Sequence, residues 1–552
     1  MGEQTMKIKS LFKENETPTI LEYLARCGVD SPKSYDNPPA SVVESPYKYA
    51  NMDKGIEILE QAITTVKDDM HKYITIICDS DCDGYCATTI ACQFLKACEL
   101  PDACINVVFH TSKQHGLSKD IMSYFDNEDW ERMALLWIPD AGTNDETACA
   151  YISSYWNIPI LITDHHDFIW ANHYATIINN QDGFAYNTDL CGAGVTHKLI
   201  TAYCKKHDMD FHQTVLDLVA LATIGDVCDM RSMENRLIVR WGIRHINNSF
   251  LANMIKTFIS DSEITPHHLA WNIIPKINAV CRSDDDDLKV YMFDAMSGYC
   301  WGKDLGVSME EVIDLLKKQH QEQSEESKHL YEEAIKGEHQ GEKVKVFDIG
   351  KTPYTGLVAN KLAEHYACPC MVVHNEGGIY MGSLRSPYPM RTKLQNSTYM
   401  TICAGHEASC GVGWYVDDTQ ELLDYCEKLE LEEPVKDVMY HSDDALIQQE
   451  VFEITELGKE YWGTGIPEPT IHISNVTING QDIKEIGANK TTIKFLYGDI
   501  EFIKFFTSTE QKEQFNVGRP VPMVMEIIGT PSINKWRDRE TKQIIIKEWE
   551  IK

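Results

Sequence analysis

The chain has 552 residues, 43% of them hydrophobic and 10% aromatic. That is too long for one core and too apolar for a disordered chain, so about three or four domains of ~150 residues are expected. A formal net charge of −33 excludes a protein that coats nucleic acid through bulk positive charge, but not a local basic channel or metal ions that reverse the sign locally. In chain order, residues 1–70 read as mostly helical, interrupted by the Pro-rich NPPASVVESPYKY. A helix over MDKGIEILEQAITTVKDD leads into a strand at 74–78. INVVFH, ALLWIPD, IPILITD, TIIN and VLDLVALATIGD then read as short apolar strands alternating with helical stretches. This is the pattern of a parallel α/β sheet with helices on both faces, whose ligand crevice lies at the carboxyl ends of the strands. Residues 305–340 combine apolar positions at helical spacing with a dense charged face, the mark of a long solvated connecting helix. Residues 343–435 return to α/β patterning, and from about 440 β-rich segments with turn signals predict a small β-barrel.

The 18 cysteines show no zinc-spaced CxxC pairs and read as reduced thiols, many of them in cores. With no signal peptide and no apolar run near the ~20 residues of a bilayer span, a soluble, cytoplasmic monomer with no membrane partner is expected.

ITIICDSDCDG, residues 74–84, ends an apolar strand with Asp79, Asp81 and Asp83 at alternate positions, then Gly84. A single aspartate at a strand end is usually a turn or helix cap. Three crowded carboxylates repel one another unless a cation lies between them. Asp140 follows ALLWIP, Asp164, His165 and His166 follow IPILIT, and Asp226 follows VALATIG, each predicted at a strand end. In a parallel sheet these ends share one edge, so the acids and imidazoles meet in one crevice. Carboxylate and imidazole without thiolate suit Mn²⁺ or Mg²⁺. The number of ligands is enough for two ions sharing a bridging carboxylate, a device that activates water against a phosphoester. Gly84 is expected to let the backbone turn tightly beside them.

In these residues the chain resembles the DHH phosphoesterase family: DSDCDG is similar to its first motif, PDAG to its second, TDHH to its third and GDVCDM to its fourth. The DxDxDG form points to the RecJ branch of single-strand-specific 5′→3′ exonucleases. LCGAGVTHKL (190–199), ENR (234–236), IIPKINAVCR (273–282), GSLRS (382–386) and AGHEASCGVG (404–413) also resemble that branch. ITELGKEYWGTGIPEPTIHISNV resembles the entry to its OB-fold domain.

The resemblance implies a parallel-sheet DHH domain with an N-terminal helical extension over 1–304 and a connecting helix over 305–340. It further implies a smaller α/β DHH-associated domain over 341–438 and an OB-fold over 439–552. It assigns two Mn²⁺ or Mg²⁺ ions to Asp81, Asp83, Asp140, His165 and Asp226, with Asp140 as the bridge. Asp79 stands at the margin of the ligand set, and Asp164 and His166 orient His165 and the phosphate. Arg282, Ser383, Arg385 and His406 are implied as phosphate contacts, with Gly405 and Gly411 giving the backbone close access. Lys113 stands where the branch commonly has an arginine, and Ala404 and Lys276 are further departures.

The implied substrate is single-stranded DNA in recombination, repair or replication, with a single-strand-binding protein or a helicase as candidate partners. Tyr461, Trp462, Phe495, Tyr497, Phe505, Phe506 and Trp536, with Lys535, Arg537 and Arg539, are candidates for contact with the strand on the OB-fold. The competing readings are a hydrolase of short oligonucleotides or cyclic dinucleotides, and a scaffold without catalysis.

Overall fold

Strand Tyr73–Cys78 is buried at every position, as a strand covered on both faces must be. In the computed structural model it lies between Ile105–Phe109 and Met133–Pro139, and Ile160–Asp164 and Thr176–Asn179 complete a five-stranded, all-parallel sheet. Strand order reverses beside Tyr73–Cys78, which opens a crevice at the carboxyl ends of that strand and of Met133–Pro139. Helices Met52–Asp68, Cys82–Ala97 and Gly192–His207 bury one face of the sheet, and Lys119–Phe125 with Glu146–Trp156 the other. The structure describes residues 8–13, 16–111, 113–125, 130–169, 171–260, 263–298, 306–431, 436–443, 447–487, 489–536 and 539–552.

Helix Met309–Ala334, opened by a capping box between Ser308 and Glu311, leads to a second five-stranded sheet. Its order is Met400–His406, Ser409–Tyr415, Ile379–Arg385, Cys370–Glu376 and Lys345–Asp348. The last domain is a seven-stranded sheet built on the long hairpin of Pro522–Trp536 and Arg539–Ile551. Among the described residues no helix is long and apolar enough to cross a membrane.

Two sequence expectations are corrected. VLDLVALATIGD is not a strand but helix Leu216–Gly225, buried on every side from Asp217 to Thr223. An uninterrupted apolar run has neither the period of two nor that of 3.6, so burial all round hides which element it is. Asp226 therefore caps a helix C-terminus, its N–H bonded to the Ala222 carbonyl, and does not end a strand. Residues 1–70 are also less helical than expected. Between helices Ile20–Arg26 and Met52–Asp68 the described chain makes only short 3₁₀ turns, two of them starting at Pro32 and Pro46. Ile8–Ser10 is a strand, parallel to Lys436–Val438.

This N-terminal arm is structural. Phe12, Tyr23 and Tyr35 enter the core of the C-terminal sheet together with Met230 and Val239 of the first domain. The Met230 N–H donates to the Thr464 carbonyl at 2.9 Å. Buried Arg236 donates to the Glu460 carbonyl at 2.8 Å while lying over the rings of Tyr35 and Tyr461. The C-terminal domain is thus joined to the first domain by a shared core.

Candidate functional site

The strand ends at Cys78 and the chain turns at once into helix Cys82–Ala97. Asp81 is the N-cap: its Oδ1 accepts from the N–H groups of Asp83 at 3.0 Å and Gly84 at 3.1 Å. The alternate spacing of the aspartates is therefore loop, cap and first helical turn rather than strand periodicity. Gly84 is required for close approach, not for a tight turn. A Cβ there would lie 2.5 Å from the Asp79 Cβ and 2.7 Å from its carbonyl oxygen.

Around His165 the acids converge. Its Nε2 is 3.3 Å from Asp140 Oδ1 and 4.0 Å from Asp83 Oδ2, and its Nδ1 is 3.6 Å from Asp226 Oδ2. Three overlapping groups each bring their ligand-capable atoms within 4.8 Å: Asp140 with Asp164, His165 and His166; Asp83 with His165 and Asp226; Asp79 with Asp81 and Asp140. Asp140 belongs to two of these groups. It sits at a left-handed φ of 68°, its N–H held by the Thr163 carbonyl at 2.7 Å, and its buried Oδ1 has no hydrogen-bond partner.

Burial, and then Asp83 and its neighbouring acids, push the Asp140 carboxyl well above the usual range. Burial and Asp226 likewise push Asp83 up to about 6. One compensation is built in. Helix Gly192–His207 aims its N-terminus at Asp83, and the N–H groups of Gly192 and Ala193 meet its two oxygens at 2.7 and 2.8 Å. Even so, hard oxygen and imidazole donors crowd an orphaned carboxylate oxygen, and this donor set fits Mn²⁺ or Mg²⁺.

Asp164 organises the turn that follows its strand. Its Oδ1 accepts from the His166 ring at 2.8 Å and the His165 N–H at 2.7 Å, and its Oδ2 from the Thr143 N–H at 3.0 Å. Burial opposes both charges, but the pair outweighs it: Asp164 stays well below the usual carboxylate range and His166 is pushed up to about 10.

The facing wall carries cations. Ser383 Oγ is 2.9 Å from Thr355 Oγ1 at the start of helix Thr355–Tyr366. Gly356 beside it leaves room for the guanidinium, since a Cβ would lie 2.8 Å from Arg385 Nη2. Lys113 faces Arg282 and Arg385. Burial first, then these two guanidiniums, lower its pKa to about 8, and Arg282 keeps a buried Nε without a partner. Lys113, Arg282, Ser383 and Arg385 thus come together.

His406 stands at the end of the hairpin Met400–His406/Ser409–Tyr415. Burial and the His165 and His166 rings across the cleft lower its pKa. Gly405 has φ +123°, which favours glycine, whereas a Cβ on Gly411 would meet only the Ala404 carbonyl oxygen at 3.7 Å, so sterics give no reason for that glycine. Among the OB-fold candidates, Trp462 and Phe495 are core residues and Phe505 and Phe506 are exposed. The side chains of Lys535, Trp536, Arg537 and Arg539 lie outside the described part.

Sequence reasoning missed four residues. Gly192 lies inside a quoted motif but gave no chemical signal, because its role is contact between backbone and Asp83. Arg391 ties the hairpin to the DHH loop, donating to the Gly405 carbonyl at 2.7 Å with Asp167 Oδ2 at 3.8 Å. His110 and His115 flank Asp79, at 3.8 and 2.6 Å. Their signal was weak: histidines after a strand with no acid pattern beside them.

Residues 73–223 match the DHH family N-terminal domain, and residues 445–548 match the RecJ OB domain. Over 561 residues the chain is 26% identical to the SPbeta prophage-derived YorK of Bacillus subtilis (strain 168), named as a candidate single-strand DNA-specific exonuclease. The match covers 95% of this chain and 94% of that protein. It is 24% identical over 583 residues to the single-stranded-DNA-specific exonuclease RecJ of the same strain, covering 99% of this chain and 70% of RecJ. The crystal structure of RecJ in complex with Mn²⁺ from Thermus thermophilus shares the fold, with a TM-score of 0.74 and 16% identity over 99% of this chain and 78% of that one. The chain thus carries a DHH-family N-terminal domain and a RecJ OB domain in one polypeptide, on a fold it shares with RecJ.

Proposed function

We propose that the chain is an exonuclease specific for single-stranded DNA that uses two Mn²⁺ or Mg²⁺ ions and degrades from the 5′ end. The observation that carries this reading is Asp140: a buried carboxylate with an orphaned oxygen, shared between two groups of potential ligands. Asp81, Asp83, Asp140, His165 and Asp226 would hold the ions, with Asp140 between them. Bound there, the ions supply Lewis-acid polarisation of the phosphate and an acidified water.

The chain's own residues do the rest. Asp164 fixes His166 at the cleft edge as a cation beside the phosphate path. Lys113, Arg282, Ser383 and Arg385 receive the terminal phosphate, Arg385 with a fork suited to its oxygens. His406 and the Gly405 backbone approach from the hairpin. A strand whose end is captured on the cationic wall presents its next bond to the acidic wall, and positioning of this kind is the main requirement of phosphodiester cleavage. The 5′ direction rests on the likeness of Ser383 and Arg385 to the RecJ pattern, with Lys113 standing where that pattern commonly has an arginine.

The test compares linear single strands blocked at either end, circular single strands, duplex and dinucleotides, each with Mn²⁺ or after chelation. Metal-dependent loss of the unblocked and 3′-blocked linear strands, with the 5′-blocked strand, circle and duplex spared, is expected. Activity after exhaustive chelation refutes the metal assignment. Rapid loss of the 5′-blocked strand reverses the polarity, cleavage of circles makes the protein an endonuclease, and activity on dinucleotides alone makes it a hydrolase of short oligonucleotides.

A further inference from the structure

Asp79 is gripped by one short loop. His115 Nδ1 lies 2.6 Å from its Oδ2, and the Gly116 N–H donates to its Oδ1 at 3.2 Å. His110 Nε2, buried without a hydrogen-bond partner, stands 3.8 Å from the same Oδ1. The other His110 nitrogen faces Ser118 Oγ at 3.1 Å and Asp120 Oδ1 at 3.4 Å, so that ring is a fixed buttress.

Beyond His115 the loop is pinned again. Gly116 takes φ +60° against Asp145, whose Oδ2 accepts from the Leu117 N–H at 2.7 Å. The His115 ring is thus anchored by one nitrogen, yet its side chain is 49% exposed, so the anchored ring keeps an open edge. Asp81 and His166 are among its charged neighbours, and Lys113, two residues earlier, faces Arg282 and Arg385. The half-exposed ring therefore stands near both the acid cluster and the cations around Lys113.

We propose that His115 is a substrate-binding residue: donating Nδ1–H to Asp79, the imidazolium ring donates its Nε2–H to a phosphate oxygen of a DNA strand crossing from the acid cluster to Lys113, Arg282 and Arg385. The assignment rests on the exonuclease reading and adds to it a contact made by a loop that reaches both walls. A peg that merely steadies Asp79 would have no need of an open ring edge.

The two roles separate chemically. In His115→Asn the side-chain amide can occupy the place of Nδ1 beside Asp79, while nothing replaces Nε2. Binding of a fluorescein-labelled single strand is measured in chelator, so that metal ligation plays no part, and Mn²⁺ binding is measured separately by calorimetry. Losing one charge-assisted hydrogen bond should weaken DNA binding on the order of 10-fold in His115→Asn. KM should rise by a similar factor, and Mn²⁺ binding should match wild type. Wild-type DNA affinity in His115→Asn overturns the assignment, as does weakened Mn²⁺ binding with unchanged DNA affinity. If the wild-type protein neither binds nor cleaves single strands, the exonuclease reading falls and this one with it.

Discussion

Gly192 tests whether the acid cluster is a tuned site or only a crowded strand edge. A Cβ at this position would lie 2.6 Å from both the Cβ and Cγ of Asp140 and closer still to its Oδ1, where ordinary contact begins at 3.4 Å, so Gly192→Ala must displace the Asp140 side chain by at least about 0.8 Å. Asp140 has little room to yield, because its N–H is tied to Thr163 and its backbone is already left-handed. The N–H groups of residues 192 and 193 survive the substitution, so the support given to Asp83 remains. A misplacement near 1 Å costs on the order of 10² in rate, whereas overpacking costs about 1–3 kcal/mol of stability.

Gly194→Ala is the matched control. Its Cβ would lie 2.5 Å from Leu190 Cγ, an apolar clash in the same helical turn that spares the acids. Initial rates on 5′-labelled single strands in Mn²⁺ and thermal melts are measured for both. The expectation is similar destabilisation but a ~100-fold loss of kcat/KM in Gly192→Ala alone. Equal loss in both variants, or near-wild-type activity in a folded Gly192→Ala, would refute the argument.

Asp140→Asn should abolish hydrolysis without lowering the apo melting temperature, since asparagine tolerates the left-handed backbone and the removed charge was repelled by Asp83; turnover near wild type in the folded variant would rule out a bridging role. Lys198→Met should cost about 3–5 kcal/mol in denaturant unfolding, because it leaves Glu234 charged and buried without the ammonium that also bonds the Glu44 carbonyl at 2.6 Å; a loss under about 1 kcal/mol would show the pair to be dispensable. Asp294 is buried, both its oxygens lack partners among the described residues, and burial pushes its pKa from 3.8 up to about 7. The raised folded pKa means that its contribution to stability is fully present below about pH 4 and lost as pH rises through about 7, so Asp294→Asn should match wild type near pH 4 and melt higher above pH 7; identical melting curves at pH 8 would contradict this.

How legible all this was depended on whether chemistry or packing carried the signal. Asp140, Asp164, His165 and His166 stood out because acids and imidazoles recur at the ends of successive apolar runs, which a parallel sheet gathers on one edge, although any one of them alone reads as a turn or cap. The five parallel strands, where apolar runs alternate with helical stretches, were equally plain until Leu216–Gly225, an apolar run that burial makes featureless. Asp81 shows both readings at once, since the plain explanation of an aspartate as a helix cap is true of its hydrogen bonds while its neighbours make it a potential ligand. What escaped was contact across the fold: Gly192 against Asp140, His115 against Asp79 and Arg391 against Asp167. No local pattern marks a residue whose partner is tens of residues away. The N-terminal arm escaped for the same reason, because Phe12, Tyr23 and Tyr35 pair with a core more than 400 residues later.

A chain of net charge −33 that handles a polyanion must solve its electrostatics locally, and the distribution of charge shows how. The carboxylates gather on one wall, where a helix N-terminus already bears on Asp83 and two divalent ions would invert the sign of the rest. Desolvation first, and then Arg282 and Arg385, depress the Lys113 ammonium on the other wall, and an incoming phosphate would relieve the repulsion. Asp83 and Asp140 on one side and Lys113 on the other are thus each disfavoured in their charged forms. A phosphate with its ions would satisfy both at once. The surplus negative charge elsewhere would then repel a strand outside the cleft. Arg391, bonded to the Gly405 carbonyl in the hairpin, lies 3.8 Å from Asp167 of the DHH loop and so brings one more cation to the place where the two walls meet.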